Sequence, residues 1–353
     1  MKNAVSTRPA RKAPAAWPTA AMRPSTARRP APPRSPAIDQ LLQMHTYARP
    51  AHGPGEKLFC ARYLDCIPGM AIDAYGNRIL TVGTAPRVLW SSHTDTVHKA
   101  EGRPRLAYGD AWLTLSAKDP ASCLGADCTA GIWLMMQMIA RRIPGLYVFH
   151  AAEEVGGLGS AHIAAETPSI LARIDYAIAF DRRGYDSVIT HQSGGRCASD
   201  AFAKTLATQL GGSYAPDDGG TFTDTASYTG LIPECTNLSV GYFGAHTAAE
   251  SLDVAFLVDL LERVCSLDPT SWPIARAPGE DDYYGGYGRF SSSSFGHDDF
   301  TRSRYSDTAP GQTLENLAAD YPTVAAEILE DLGVTPAEFL EILDIRTSWR
   351  KRR

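Results

Sequence analysis

Apolar positions recur at helical spacing over 38–47 and 56–64, and the Pro/Gly-rich stretch 49–55 separates these two predicted helices. A Tyr-Gly-Asn turn ending at Asn77 leads into a predicted strand over 78–82, and the next strand spans 87–92. From there strands and helices alternate. A helix over 127–141 is followed by a strand over 146–151, a helix after Gly157, and strands over 176–180 and 187–191. A helix over 199–210, with Ser199 placed to cap it, precedes a strand over 237–241 and a helix over 247–265. Such alternation predicts an α/β fold of three layers, with a mostly parallel, mixed central sheet covered by helices on both faces.

The periodicity stops at both ends. Residues 1–37 are Pro, Ala and Arg rich and read as a disordered basic tail, leaving 38–268 as the globular domain. Residues 269–311, rich in Gly, Ser, Tyr and Asp, read as a low-complexity linker. Helical spacing returns over 312–346 as a small appendage, broken at 333–336 where Thr335 can cap a second piece, and 347–353 form a basic tail. The net charge of −5 hides an asymmetry. The first 37 residues hold eight Lys or Arg and no acid, so the rest of the chain is strongly acidic, a poor match for nucleic acid. The longest apolar stretches, such as 131–140, are about half of what a membrane-spanning helix needs. The N-terminus has no apolar core of a secretory signal, although its lack of acids also fits a transit peptide. Seven irregularly spaced cysteines fit a reducing, cytoplasmic setting better than a disulfide framework, and Cys60 and Cys66 are spaced too widely for a zinc knuckle.

Chemistry collects at the carboxyl ends of the predicted strands, where open α/β sheets build their sites. One strand ends in Ser-Ser-His93-Thr-Asp95; Leu-Gly-Ala precedes Asp127; another strand runs into Glu153 and Glu154; a third ends in Asp181; a fourth leads to His246. Imidazole and carboxylate without thiolate suit a catalytic zinc with positions left for water. Each piece also has a plainer meaning. His93 alone fits a hydrogen-bonded core histidine, and Asp127 alone fits a helix N-cap. Asp95, two residues along an extended chain, points the same way as His93 and can hold its far ring nitrogen. The adjacent acids Glu153 and Glu154 at a buried strand end repel each other, and a cation relieves that cost.

The order His-x-Asp, Gly-Ala-Asp-x-x-Ala-Gly, Glu-Glu-x-Gly-x-x-Gly-Ser, Phe-Asp and Ala-His-Thr-x-x-Glu resembles the two-zinc exopeptidases, the M28 aminopeptidases and their M20 carboxypeptidase and deacylase relatives, over roughly 40–266. The resemblance implies that Asp127 bridges two zinc ions (cobalt or manganese are alternatives), with His93 and Asp181 completing one site and Glu154 and His246 the other. It makes Glu153 the general base and Asp95 the carboxylate behind His93. The 65 residues from Asp181 to His246 are too few for the dimerisation domain that M20 enzymes insert there, so the compact M28-like form fits better. Cys128 stands where many relatives have a second acid; no base is assignable to it as a nucleophile.

The implied substrate is a small peptide, cut at the amino end; the runner-up is a carboxypeptidase or a deacylase of N-acyl amino acids, and the non-enzymatic rival is a binding scaffold. Tyr228 fits either a substrate contact or packing. Arg182 and Arg183 are candidates for a substrate carboxylate, and His191 and Arg196 are similar candidates. The chain has no Gly-x-Ser-x-Gly elbow, Walker loop or His-Glu-x-x-His, which removes the marks of serine hydrolases, phosphate-cradling NTPases and single-zinc proteases. Oligomeric state is not legible.

Overall fold

Two helices open the described part of the chain, which in this computed structural model comprises residues 31–278. Residues 1–30 of the expected basic tail, 279–311 of the expected linker, the appendage 312–346 and the cluster 347–353 lie outside the described residues. Helix α1 (Pro36–Met44) starts at Ser35, whose hydroxyl accepts the Ile38 amide, and it buries Ile38, Leu41 and Met44. Helix α2 (Pro54–Tyr63) begins with Pro, whose missing N–H is no loss at that position.

Strands β1 (Ala71–Ile72), β2 (Arg78–Val82) and β3 (Val88–His93) come next, followed by β4 (Leu106–Gly109) and β5 (Trp112–Leu115). Helix α3 (Ala126–Ala140), strand β6 (Gly145–His150) and helix α4 (Leu158–Glu166) lead to β7 (Tyr176–Arg182) and β8 (Ser187–Ile189). The short pair β9 (His191–Gln192) and β10 (Gly195–Arg196) precedes α5 (Asp200–Leu210) and β11 (Ala215–Asp217). A 3-10 turn (Asp224–Tyr228) is followed by β12 (Glu234–Ser239), β13 (Tyr242–Phe243), β14 (Ser251–Asp253) and α6 (Val254–Cys265).

Eight strands form the central sheet in the order β1-β2-β6-β3-β7-β12-β8-β11. Its middle, β6-β3-β7-β12, is parallel, while β2 and β8 join it antiparallel. Strands β3 and β6 are buried at every position, as strands covered on both faces must be. The pleat identifies the two covers. Ser92 donates to Cys128 O on α3, whereas its neighbour Ser91 meets His150 Nδ1, and the other nitrogen of that ring meets the Tyr228 hydroxyl of the 3-10 turn. The chain thus forms the expected three-layer α/β/α architecture around a mixed, mainly parallel sheet. Where α3 crosses β7, a Cβ added at Gly131 would stand 2.3 Å from Phe180 O, so glycine is needed for the helix to approach the sheet so closely. Between Asp181 and His246 the residues are taken up by β8 to β13, α5 and the 3-10 turn, and no further domain is inserted there.

Three features depart from the sequence expectation. A second, four-stranded sheet, β13-β14-β5-β4, was not anticipated; its β4–β5 hairpin turns at Asp110 and Ala111, both with positive φ. The helix expected over 247–265 begins only at Val254, because 251–253 pair with β5 instead and Asp253 caps the helix by accepting the Phe256 amide. Within the stretch expected to be linker, Trp272 packs edge-on against Tyr176, and buried Arg276 donates to the carbonyls of Thr229, Ile232 and Pro233. Among the described residues no helix is long and apolar enough to cross a membrane.

Candidate metal centre

Parallel strands deliver their last residues to one edge, and there the candidate ligands meet. His93 closes β3 with its ring 1 % exposed. Its Nδ1 lies 3.1 Å from Asp95 O and 3.4 Å from the Asp95 carboxylate, which leaves Nε2 facing Asp181 Oδ1 at 3.7 Å. One ring nitrogen is therefore occupied, and once the ring is neutral the other can donate a lone pair. Asp95 does more than orient His93: its two carboxylate oxygens accept the backbone amides of Glu153 and Glu154 at 3.0 and 3.1 Å. The loop that carries both glutamates is thus pinned from β3.

Asp127 sits in the first turn of α3, behind Gly125 rather than as the cap itself. One of its oxygens accepts the Cys128 amide at 2.7 Å; the other is 3.0 Å from His246 Nε2, which is also 3.3 Å from Glu154 Oε1. Three groups of donor atoms, each mutually within 4.8 Å, overlap here: His93, Asp127 and Cys128; His93, Glu153 and Glu154; Asp127, Glu154 and His246. Asp181 adjoins them through His93. Cys128 Sγ, though near, accepts the buried Arg49 guanidinium at 2.8 Å, and burial pushes its thiol pKa far up, so it is no nucleophile. Ala152 and His246 both hold positive φ, 61° and 63°, a conformation that costs side-chain-bearing residues about 1–3 kcal/mol and concentrates at functional sites.

The electrostatics are those of a crowded anionic site. Burial, followed by the charge of Asp127, raises Glu154 to about 7. Burial also raises Glu153 well above the usual carboxylate range, with Asp181, Asp224 and Glu154 adding to it. Asp127 is held low despite its burial by the His246 hydrogen bond and the His93 charge, and His246 is raised to about 11 by its bonds to Asp127 and Glu154. His93 is likewise raised, against its burial, by Cys128, Asp181 and Asp95, so without metal both protonated imidazoles are cations of the cluster. Two imidazoles and several carboxylates, among them the buried Glu154 Oε1 that faces His246 at 3.3 Å, form a donor set that fits divalent zinc, cobalt or manganese. A ligating imidazole must be neutral, so loading displaces protons from both His246 and His93, and metal affinity rises with pH. We expect affinity to rise by at least about one log unit per pH unit between pH 7.5 and 9, since His93 gives up a proton as well as His246, and to steepen near pH 7 where Glu154 also holds a proton. Calorimetric zinc titrations in buffers of different ionisation enthalpy measure this; flat affinity without proton release would refute it.

Two acids acquire places that the sequence did not assign. Glu250, fully buried, accepts the amides of Leu124, Gly125 and Ala126 at 2.8, 2.9 and 2.9 Å. It closes the Ala-His-Thr-x-x-Glu motif, and that spacing was its only signal. Asp224, also fully buried and raised to about 8 by burial, stands 3.4 Å from His150 Nδ1. Of the substrate candidates, Tyr228 is fully buried against His150 at 2.7 Å and is a packing residue, not a substrate contact. Arg182 is committed to Gly219 O at 2.8 Å and Asp217 at 3.4 Å, holding a loop. His191 Nδ1 bonds the Thr190 hydroxyl, Arg196 bonds Asp200, and Arg183 lies on the exposed side of the turn after β7.

No family model matches the sequence, and no curated protein matches it. Solved structures do. Aminopeptidase PepT from Bacillus cereus superposes with a TM-score of 0.55 at 14 % identity, over 65 % of this chain and 96 % of that one. A tripeptidase from Staphylococcus aureus gives 0.53 at 15 %, over 65 % and 96 %. The PhTET1-12s dodecamer gives 0.53 at 14 %, over 66 % and 98 %. At such identities the likeness is one of fold. The chain has the fold on which these peptidases are built.

Proposed function

We propose that this chain is a co-catalytic two-metal hydrolase that removes residues from the free amino end of small peptides. The observation that carries the reading is the overlap of the three donor groups through His93, Asp127 and Glu154, one of which includes Glu153. His93, Asp127 and Asp181 would hold one ion, and Asp127, Glu154 and His246 the other. Bound there, the ions acidify a water and polarise the scissile carbonyl. The protein's own part is positional and acid–base. Asp95 fixes both His93 and the glutamate loop, and Glu250 fixes the turn before Asp127. Glu153, raised by burial, takes the proton of the attacking water on a carboxylate oxygen and returns it to the leaving amine.

The aminopeptidase direction draws on the neighbours' names, and Arg182, already engaged, offers no ready clamp for a substrate carboxylate. Zinc-, cobalt- and manganese-loaded protein and a chelated control, assayed on free-amine tripeptides and their N-acetyl forms, test this. Cleavage of only the free-amine set by only the loaded protein is expected. Preference for the blocked set would turn the reading to a carboxypeptidase or deacylase; metal-loaded protein that cleaves neither would end it.

A further inference from the structure

The loop 217–222 touches segments that carry two of the candidate ligands. At one end Gly219 O accepts Arg182, the residue after Asp181. In the middle Ser193 N donates to Thr221 O at 2.6 Å, and a Cβ added at Gly220 would stand 2.2 Å from His191 O, so the backbone lies flat against β9. At the other end the Phe222 ring rests on Gly157, where an added Cβ would be 2.4 Å from Cζ. Gly157 is three residues beyond Glu154, so the loop spans from one candidate ligand to another. The next two residues, Thr223 and Asp224, are buried at 1 % and 0 %, which anchors the ring from below.

Phe222 is nevertheless 38 % exposed, and Val155, directly after Glu154, is 54 % exposed. Large apolar groups left open next to the residues of a polar centre mark a place where a ligand covers them. A ring already fixed by its glycine seat gives up little freedom when covered, which favours binding. We propose that Phe222 and Val155 form the apolar wall of the subsite for the side chain of the substrate's first residue, so that the site selects peptides beginning with a large apolar residue. This rests on the aminopeptidase reading given above.

The test uses metal-loaded full-length protein and the tripeptides X-Gly-Gly, where X is Leu, Phe, Ala or Lys. We expect kcat/KM for Leu and Phe to exceed that for Ala by about tenfold or more, the discrimination an apolar pocket gives for added methylenes. Phe222→Ala should reduce the Leu-to-Ala ratio by about tenfold. Val155→Asp, at an exposed position that tolerates a polar group, should reduce the same ratio and raise the Lys-to-Leu ratio, so the outcome does not hang on one variant folding. A wild type indifferent to X or favouring Lys, or variants that scale all four substrates equally, overturns the proposal while leaving the hydrolase reading intact. Loaded wild type that cleaves none of the four, nor any free-amine peptide, removes the hydrolase reading and this subsite with it.

Discussion

Glu153→Gln should leave two metal ions bound and lower turnover of a free-amine tripeptide by about 10²–10⁴-fold, the usual worth of a positioned general base. The substitution keeps the shape of the side chain and removes its ability to take a proton. The backbone amide of residue 153 still donates to Asp95, and Glu154 next to it is untouched, so the ligand geometry survives. The native carboxyl suits the role because burial, together with the charges of Asp181, Asp224 and Glu154, moves its pKa upward and makes it a stronger base than an exposed carboxylate. Elemental analysis alongside kcat reads both halves of the prediction. Unchanged turnover would exclude Glu153 as the base. Loss of metal together with turnover would make it a ligand.

Glu250→Gln should weaken metal binding by about 10- to 100-fold without unfolding the chain, the size of effect seen when a group that orients ligands is lost. The native carboxylate receives three amides from the turn that presents Asp127, and it stands four residues from His246. One carboxylate therefore joins both sides of the cluster. An amide in its place turns an N–H₂ toward backbone N–H groups, donor facing donor, and the turn must shift. Competition with a chromogenic chelator gives the affinity, and thermal unfolding of metal-free and loaded protein separates local from global damage. The melting temperature of the loaded form should fall further than that of the metal-free form, since tighter binding to the native state adds stability. A folded variant with native affinity would show that the three amides merely cap a helix.

The layer order of the fold was legible because β3, β6, β7 and the core helices have strong apolar runs bounded by turn residues. The helix start at Ser199 was legible for a local reason: its hydroxyl does accept the Phe202 amide. The second sheet was not, since β13 and β14 are two and three residues long and exist only through pairing with each other and, for β14, with β5 across the chain. For the same reason 247–253 looked like the start of a helix. The relation of Asp95 to His93 could be read from i, i+2 spacing, but its bonds to the amides of residues 153 and 154 could not, because backbone donors leave no mark in a sequence. The sequence leaves Tyr228 open between packing and a substrate contact; the 3-10 turn carries its hydroxyl inward to His150.

Arg276 has a practical corollary for anyone dividing this polypeptide. Its guanidinium satisfies three carbonyls around residues 229–233, and Glu234 at the start of β12 receives the backbone amides of Ala275 and Arg276. A protein cut after Asp268, where the last long helix has ended, would lay those oxygens bare at the foot of a central strand, so a minimal folded form has to run past Arg276.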